Sequence, residues 1–365
     1  MSASPAPWAG PLPLRGGRSL PGRLWLAALT NQQSPDGGHL SADERDFLLR
    51  RAQGGMPVIT TCAAYVHPDG QAWPGQLGVA SDSQGEALRP LARGLAEAGA
   101  AGLVQLFHGG GRADSALTGQ PTWSLSSWSD KATSGVVEAA PADRLDRVIV
   151  DQAAAARRVE AAGLAGVELH GAHGYLLSQG LSRVYNTRDD AWGGDLAGRA
   201  RLIRESLRAV RAATGPGFVV GVRLSPEDMG QAKGLDLDES LQVAAWLAED
   251  GADFIHLSLW DCKKPTQKRP EAHPLPLFRA AVGPEVALIA AGDLWTVEDV
   301  AATFAHGADA VAVGRAAIGQ ADWAAKILGG APVHRAPFSP AALAENGASE
   351  TFVRYLSRFR GLVSA

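Results

Sequence analysis

The sequence predicts a closed (β/α)8 barrel of the α/β class, and three observations carry the prediction. Eight short apolar, β-branched runs recur along the chain, with Ala-, Leu- and Arg-rich helical patterns between them. The runs lack the polar alternation of a half-exposed strand, which suits a parallel sheet covered by helices. The length of 365 residues fits, since such barrels extend from about 200 to more than 400 residues.

The first run is RLWLAAL at 23–29, followed by a helix predicted over 42–53. Ser41 precedes that helix and Glu44 stands three residues on, the spacing of a capping box. PVITTCA at 57–63 leads to a helix at 85–98, with Gly99 placed for a left-handed C-terminal cap. GLVQLF at 102–107 is separated from its helix at 143–162 by a Gly-, Ser- and Trp-rich insertion, 109–142. The insertion lies beyond a strand end, so it is expected to form a lid or wall at the catalytic face. GVEL at 166–169 precedes a helix at 197–213, and FVVGVRL at 218–224 one at 238–250; Gly163 and Gly251 follow helical patterns as Gly99 does. FIHLSL at 254–259 is followed by a weaker helical stretch, 275–282. VALIAA at 286–291 leads to a helix at 296–306, where Thr296 and Asp299 suit the N-terminus. AVAVG at 310–314 is followed by a helix at 321–328. Residues 1–20 read as an extended N-terminal strap, 329–365 as a tail, and the whole as one domain.

Composition narrows the function. Hydrophobic residues make up 46% and charged residues 20%, enough for a large core. A formal net charge of −4 leaves no footprint for nucleic acid or an anionic membrane. No run is long enough to span a bilayer, and the N-terminus lacks the order of a secretory signal. Two distant cysteines, Cys62 and Cys262, exclude a disulfide framework, a Cys-rich zinc module and a four-cysteine cluster, so a reducing cytoplasm is the expected compartment.

In a barrel the chemistry sits at the strand C-termini. Those ends carry Thr30 with Asn31 and Gln32, Ala63, Gln105 and His108, then His170, His173 and Tyr175, then Arg223, Trp260, Gly292-Asp293 and Gly314-Arg315. Glycines after strands seven and eight let backbone approach a phosphate, and Arg315 adds charge; equally they permit tight turns. Arg223 ends an apolar strand and needs an anionic or electron-rich partner, either a ligand or Glu168. VELHGAHGYL places His170, His173 and Tyr175 within six residues. A zinc site would need a third ligand and an open water position, and no H-E-x-x-H motif is present. Trp123 and Trp260 suit either pocket or core, and Arg188, Asp190 and Trp192 suit structural pins.

These stretches, from about Leu20 to Trp323, resemble the old yellow enzyme family of FMN-dependent ene-reductases. RLWLAALT, VQLFHGGGR, HGAHGYL with the following Asn186, Arg188, Asp190, Trp192, Gly193 and Gly194, VGVRLSP, AAGD and AVAVGRA carry the resemblance. It implies a (β/α)8 barrel holding FMN and reduced by NADH or NADPH. It implies that Thr30, Ala63, Gln105 and Arg223 meet the flavin ring, and that Gly292, Gly314 and Arg315 hold its phosphate. His170 and His173 match the pair that grips a substrate carbonyl, and Tyr175 matches the proton donor. Gln32 and Trp260 are the further substrate contacts expected. The stretch His108-Gly109-Gly110-Gly111-Arg112 is one residue longer than the usual H-x-G-R, and Gln32 replaces an aromatic found in some relatives. FVRYLSRFRG, with Arg354, Arg358 and Arg360, resembles tails that reach a neighbouring subunit's site, but reads here as a solvated amphipathic helix. A homo-oligomer is compatible with the resemblance, and no metal is expected.

The chemistry implied is reduction of the C=C bond of an α,β-unsaturated carbonyl or nitro compound. Hydride arrives from flavin N5, two imidazoles stabilise the growing charge on oxygen, and Tyr175 protonates Cα. Flavin-dependent amine demethylation, dienoyl reduction and a non-catalytic flavin-binding protein are the alternatives on the same fold.

Overall fold

The computed structural model describes residues 6–129 and 135–364. Eight strands close into one barrel: β1 (Leu24–Leu26), β2 (Val58–Tyr65), β3 (Ala101–Phe107), β4 (Gly166–Gly171), β5 (Val219–Leu224), β6 (Phe254–Ser258), β7 (Ala287–Ala291) and β8 (Ala310–Val313). All neighbours are parallel, and β8 closes on β1 with Val311 opposite Leu24. Seven of the helices connect them and an eighth follows β8: α1 (Ala42–Gln53), α2 (Arg89–Glu97), α3 (Ala142–Ala161), α4 (Leu196–Ala213), α5 (Leu237–Glu249), α6 (Pro274–Val282), α7 (Val297–Ala305) and α8 (Trp323–Gly329).

Local chemistry explains the helix ends. Ser41 accepts from the Glu44 N–H, and Thr296 forms a reciprocal capping box with Asp299. Gly99, Gly163 and Gly251 turn off their helices with φ of 70°, 91° and 105°. Helix 85–98 is broken: a turn of helix at Asp82–Glu86 precedes α2, because Pro90 fits only a first helical turn.

The N-terminal strap is a hairpin, Leu12–Pro13 against Ser19–Leu20. Leu12, Leu14 and Leu20 pack with Trp25, Val58, Leu103, Val219 and Phe254, residues near the N-terminal ends of the strands. The hairpin therefore closes the barrel floor and leaves the opposite mouth for chemistry.

Register fixes what meets inside. Gln105 stands beside Glu168, His170 beside Arg223, and Arg223 beside His256. With a side-chain period of two, Glu168 and His170 share the inner face of β4.

Two segments differ from the sequence expectation. The described part of 109–142 does not line the central cavity. It turns outward because Leu125 and Ala140 carbonyls take Arg188 at 2.8 and 2.7 Å, while Ser124 Oγ donates to Gln179 at 2.7 Å. The tail is not a solvated helix. After α9 (Pro340–Glu345) and α10 (Glu350–Leu356), residues 355–362 lie over the barrel's own mouth. Buried Phe352 meets Phe47 of α1 at 5.2 Å, and Phe338 N–H donates to the Leu362 carbonyl at 3.0 Å.

Candidate active site

A cavity of about 590 Å³ opens at the strand C-termini, and a second of about 570 Å³ continues it toward β7 and β8. His173, Tyr175, Arg223 and Arg315 line both.

β4 delivers the first wall. His170 is buried at the strand end, and its Nδ1 accepts the Ala172 N–H at 3.3 Å. The proton of a neutral His170 ring therefore sits on Nε2. Burial, then the Arg223 charge, pushes its pKa down to about 3, so the ring is neutral at working pH. His173 adopts φ of +60°, a conformation that costs on the order of 1–3 kcal/mol for a non-glycine residue. Its backbone N–H is held by Ser225 Oγ at 3.1 Å and its Nε2 lies 2.6 Å from Ser258 Oγ. Ser258 Oγ also accepts from Arg223 at 3.1 Å, so one hydroxyl joins the histidine to the arginine. Burial, Arg223 and His170 keep that ring neutral too. Gly174 follows because a Cβ there would stand 2.2 Å from the Gln231 carbonyl oxygen.

Tyr175 completes the cluster. Ring centroids are 4.9 Å apart for His170 and His173, and 5.1 Å for His170 and Tyr175. Phe107 supports Tyr175 at 4.4 Å and Trp73 stands at 6.3 Å. Burial, then Tyr355, pushes the Tyr175 phenol up to about 12. Three neutral hydrogen-bond donors thus share one wall.

Beneath them is a buried network. Glu168 accepts from Gln105 Nε2 at 2.6 Å and meets His256 Nδ1 at 2.6 Å. Burial alone would raise Glu168, but His256, Arg223 and Gln105 hold it down to about 2. Burial keeps His256 neutral, so its Nδ1–H donates to the carboxylate. Glu168 does not claim Arg223: the guanidinium bonds Ser258, and its buried Nε has no partner among the described residues. An orphaned guanidinium N–H on a residue that lines the cleft calls for an acceptor from a ligand.

Thr30 and Ala63 line the cavity, and Thr30 shares a side-chain hydrogen bond with Tyr355. Gly292, Gly314 and Arg315 line the second lobe. Arg315 is half exposed and bonds Asp293 at 2.6 Å. Gly292 also answers to packing, since a Cβ would stand 2.5 Å from the Leu259 carbonyl oxygen. Trp260 is 72% exposed at the rim of that lobe. Gln32 is not among the lining residues; its φ of 56° presses its backbone onto Gly75, and Trp73 lines the cavity instead. Trp123 is core, with Nε1 bonded to Asp69 at 3.1 Å. Arg188 and Asp190 pair at 2.5 Å, and Trp192 is buried beside them. No group of three metal-ligating side chains occurs among the described residues, and no helix there is long and apolar enough to cross a membrane.

Sequence reasoning missed Trp73, Ser258, His256 and Tyr355. Trp73 had a signal, an aromatic within the Gly/Pro-rich stretch GQAWPGQ. The others had none, because their roles arise from contacts between segments distant in the chain.

The family model of the NADH:flavin oxidoreductase / NADH oxidase family matches residues 11–333. The chain belongs to that family, the old yellow enzyme family. The enzyme is 32% identical over 328 residues to a probable NADH-dependent flavin oxidoreductase of Bacillus subtilis, covering 88% of this chain and 87% of that one. It is 30% identical to an NADH:fumarate oxidoreductase of Klebsiella pneumoniae over 88% of its length, but spans only 36% of that protein. Among solved structures, an old yellow enzyme homologue from Zymomonas mobilis superposes with a TM-score of 0.79 at 24% identity, covering 94% and 98% of the two chains. Morphinone reductase, as an asparagine-to-alanine variant with tetrahydroNAD, gives 0.79 at 26% identity, covering 92% and 94%. The enzyme is an FMN oxidoreductase that takes its electrons from NADH or NADPH. The unpartnered Arg223 Nε fits that cofactor, since the flavin pyrimidine end is rich in acceptors.

Proposed function

We propose that the enzyme reduces the activated C=C bond of α,β-unsaturated carbonyl or nitro compounds. The observation that carries this reading is the convergence of His170, His173 and Tyr175, all neutral, on one wall of the cavity. Bound FMN, once reduced, supplies the hydride. His170 Nε2–H and, in the tautomer whose Nε2 takes the Ser258 hydroxyl hydrogen, His173 Nδ1–H donate to the substrate's carbonyl or nitro oxygen. They orient it and strengthen their grip as negative charge grows there. Neutral rings matter, because each then offers a donor whose position is fixed by its other nitrogen. Tyr175 protonates Cα. Its raised pKa keeps the proton in place until a strongly basic carbon appears. Thr30, Ala63, Gln105 and Arg223 are the residues that would hold the flavin ring, with Gly292, Gly314 and Arg315 at its phosphate.

The test is stopped-flow oxidation of the reduced enzyme by cyclic enones. His170→Ala is expected to slow this half-reaction by about 100- to 1,000-fold, the range for loss of one oxyanion donor, with FMN retained. Tyr175→Phe is expected to slow reoxidation while leaving reduction by NADH or NADPH unchanged. Enone turnover untouched by both substitutions would remove the proposal.

A further inference from the structure

Four arginines line the cavity, and two of them, Arg358 and Arg360, have no part in the proposed ene-reduction. Arg223, Arg315, Arg358 and Arg360 line its first lobe, where no aspartate or glutamate does, although Asp293 lines the second lobe and the chain as a whole is net negative at −4. Arg223 bonds Ser258 and is assigned above to the flavin ring, and Arg315 bonds Asp293. Arg358 and Arg360 are exposed and form no ion pair among the described residues. They are not on a loose end. Arg358 N–H donates to the Tyr355 carbonyl at 3.2 Å, Phe359 N–H to Leu356 at 3.0 Å and Leu362 N–H to Phe359 at 3.1 Å. Buried Phe352 fixes one side of this turn and buried Leu362 the other. Two cations without an ion-pair partner among the described residues stand on a pinned turn, Arg358 resting 5.9 Å from the Tyr355 ring, and at the lip of a lobe without acids they make a local positive field suited to an anion.

The coenzyme brings one. NADH and NADPH must place a dihydronicotinamide inside this cavity, and each carries a diphosphate along with it. Arginine binds phosphate oxygens through paired N–H groups, which gives geometry as well as charge. We propose that Arg358 and Arg360 receive the diphosphate of the nicotinamide coenzyme, so that the C-terminal turn is a coenzyme-binding element. The inference rests on the coenzyme and is independent of the ene-reduction reading.

The experiment titrates FMN-loaded enzyme with tetrahydroNAD, which does not reduce the flavin, and follows the flavin absorbance. The Arg358→Gln/Arg360→Gln double variant is expected to raise Kd about tenfold, equivalent to about 1.4 kcal/mol. Added salt should weaken binding to the unmodified enzyme and have little effect on the variant. In a second arm, flavin reduction by N-benzyl-dihydronicotinamide, which has no phosphate, should proceed at one rate in both proteins. An unchanged Kd overturns the proposal. So does an equal loss with both reductants, which would mean that the turn serves the nicotinamide or the fold. A rise in KM confined to carboxylate-bearing enones, with Kd unchanged, also overturns it in favour of substrate recognition. Failure of all enones to turn over would sink the ene-reduction reading and leave this titration intact.

Discussion

The insertion at 109–142 and the C-terminal tail are both long segments outside the strand–helix repeat, yet they end in different places. The insertion is rich in Trp, Ser and Gly and follows a strand C-terminus, which is where a lid belongs. Its described part instead grips Arg188, Gln179 and Asp69 and packs beside the barrel. The tail follows α8, where nothing requires a role in the site, and it roofs the cavity. Anchors decide the difference. Charged and polar anchors hold the insertion against the segment after β4, whereas buried Phe352 seats the tail on Phe47 of α1 and Leu362 ties back to Phe338 within the tail.

That contrast can be broken in four ways, from the largest effect to the smallest. Trp123→Ala removes a fully buried indole and its bond to Asp69, and is expected to cost about 3–5 kcal/mol. Urea unfolding should show the loss, while tetrahydroNAD affinity stays put; weakened affinity would mean that the insertion shapes the site after all. Phe352→Ala should cost less globally, because the tail detaches locally before the barrel unfolds. Limited proteolysis should then cut within 340–362, and tetrahydroNAD Kd should rise to the level of the arginine double variant. Tyr355→Phe deletes the bond to Thr30 at about 0.5–1.5 kcal/mol, with a Kd change of only a few fold.

The smallest effect is on pH dependence. Asp69 accepts from His67, His108, Trp123 and Arg144, so the insertion's anchor contains titrating groups. The Asp69 hydrogen bond raises the His67 pKa against the effect of burial, with Asp151 adding to it and Arg147 opposing. A raised folded-state value means that His67 contributes stability fully below 6.5, and that the contribution is lost as pH rises through the raised value. Asp69, held far below its ordinary value against burial by His108 and His67, contributes above 3.8 and loses that contribution only in strong acid. The phenol of Tyr355 in the tail is raised from 10, chiefly by burial. Amide exchange around Trp123 should therefore quicken modestly on going from mildly acidic to mildly alkaline buffer, after correction for intrinsic rates, while exchange in α10 should not. Equal pH profiles for the two segments would show that His67 does not brace the insertion.

Much of the barrel was legible because its signals are local. Apolar runs, capping residues such as Ser41 and Thr296, and turn glycines lie within a few residues of what they control. The His170–Tyr175 cluster was legible for the same reason, as one strand end and one tight turn bring its members together. Gln32 was misleading: its place beside the first strand end suggested a pocket residue, but a left-handed backbone turned it onto Gly75.

By itself, the sequence determined the strand–helix rhythm, the wall of histidines and tyrosine, and the arginine that ends β5. Only the tertiary structure decided that Glu168 would answer to Gln105 and His256 rather than Arg223, that the insertion would turn outward, and that the tail would come back over the mouth. The reason is physical: periodicity and capping act between near neighbours in the chain. Ion-pair choice and the seating of a loop depend on competition among groups that only the closed barrel brings within reach.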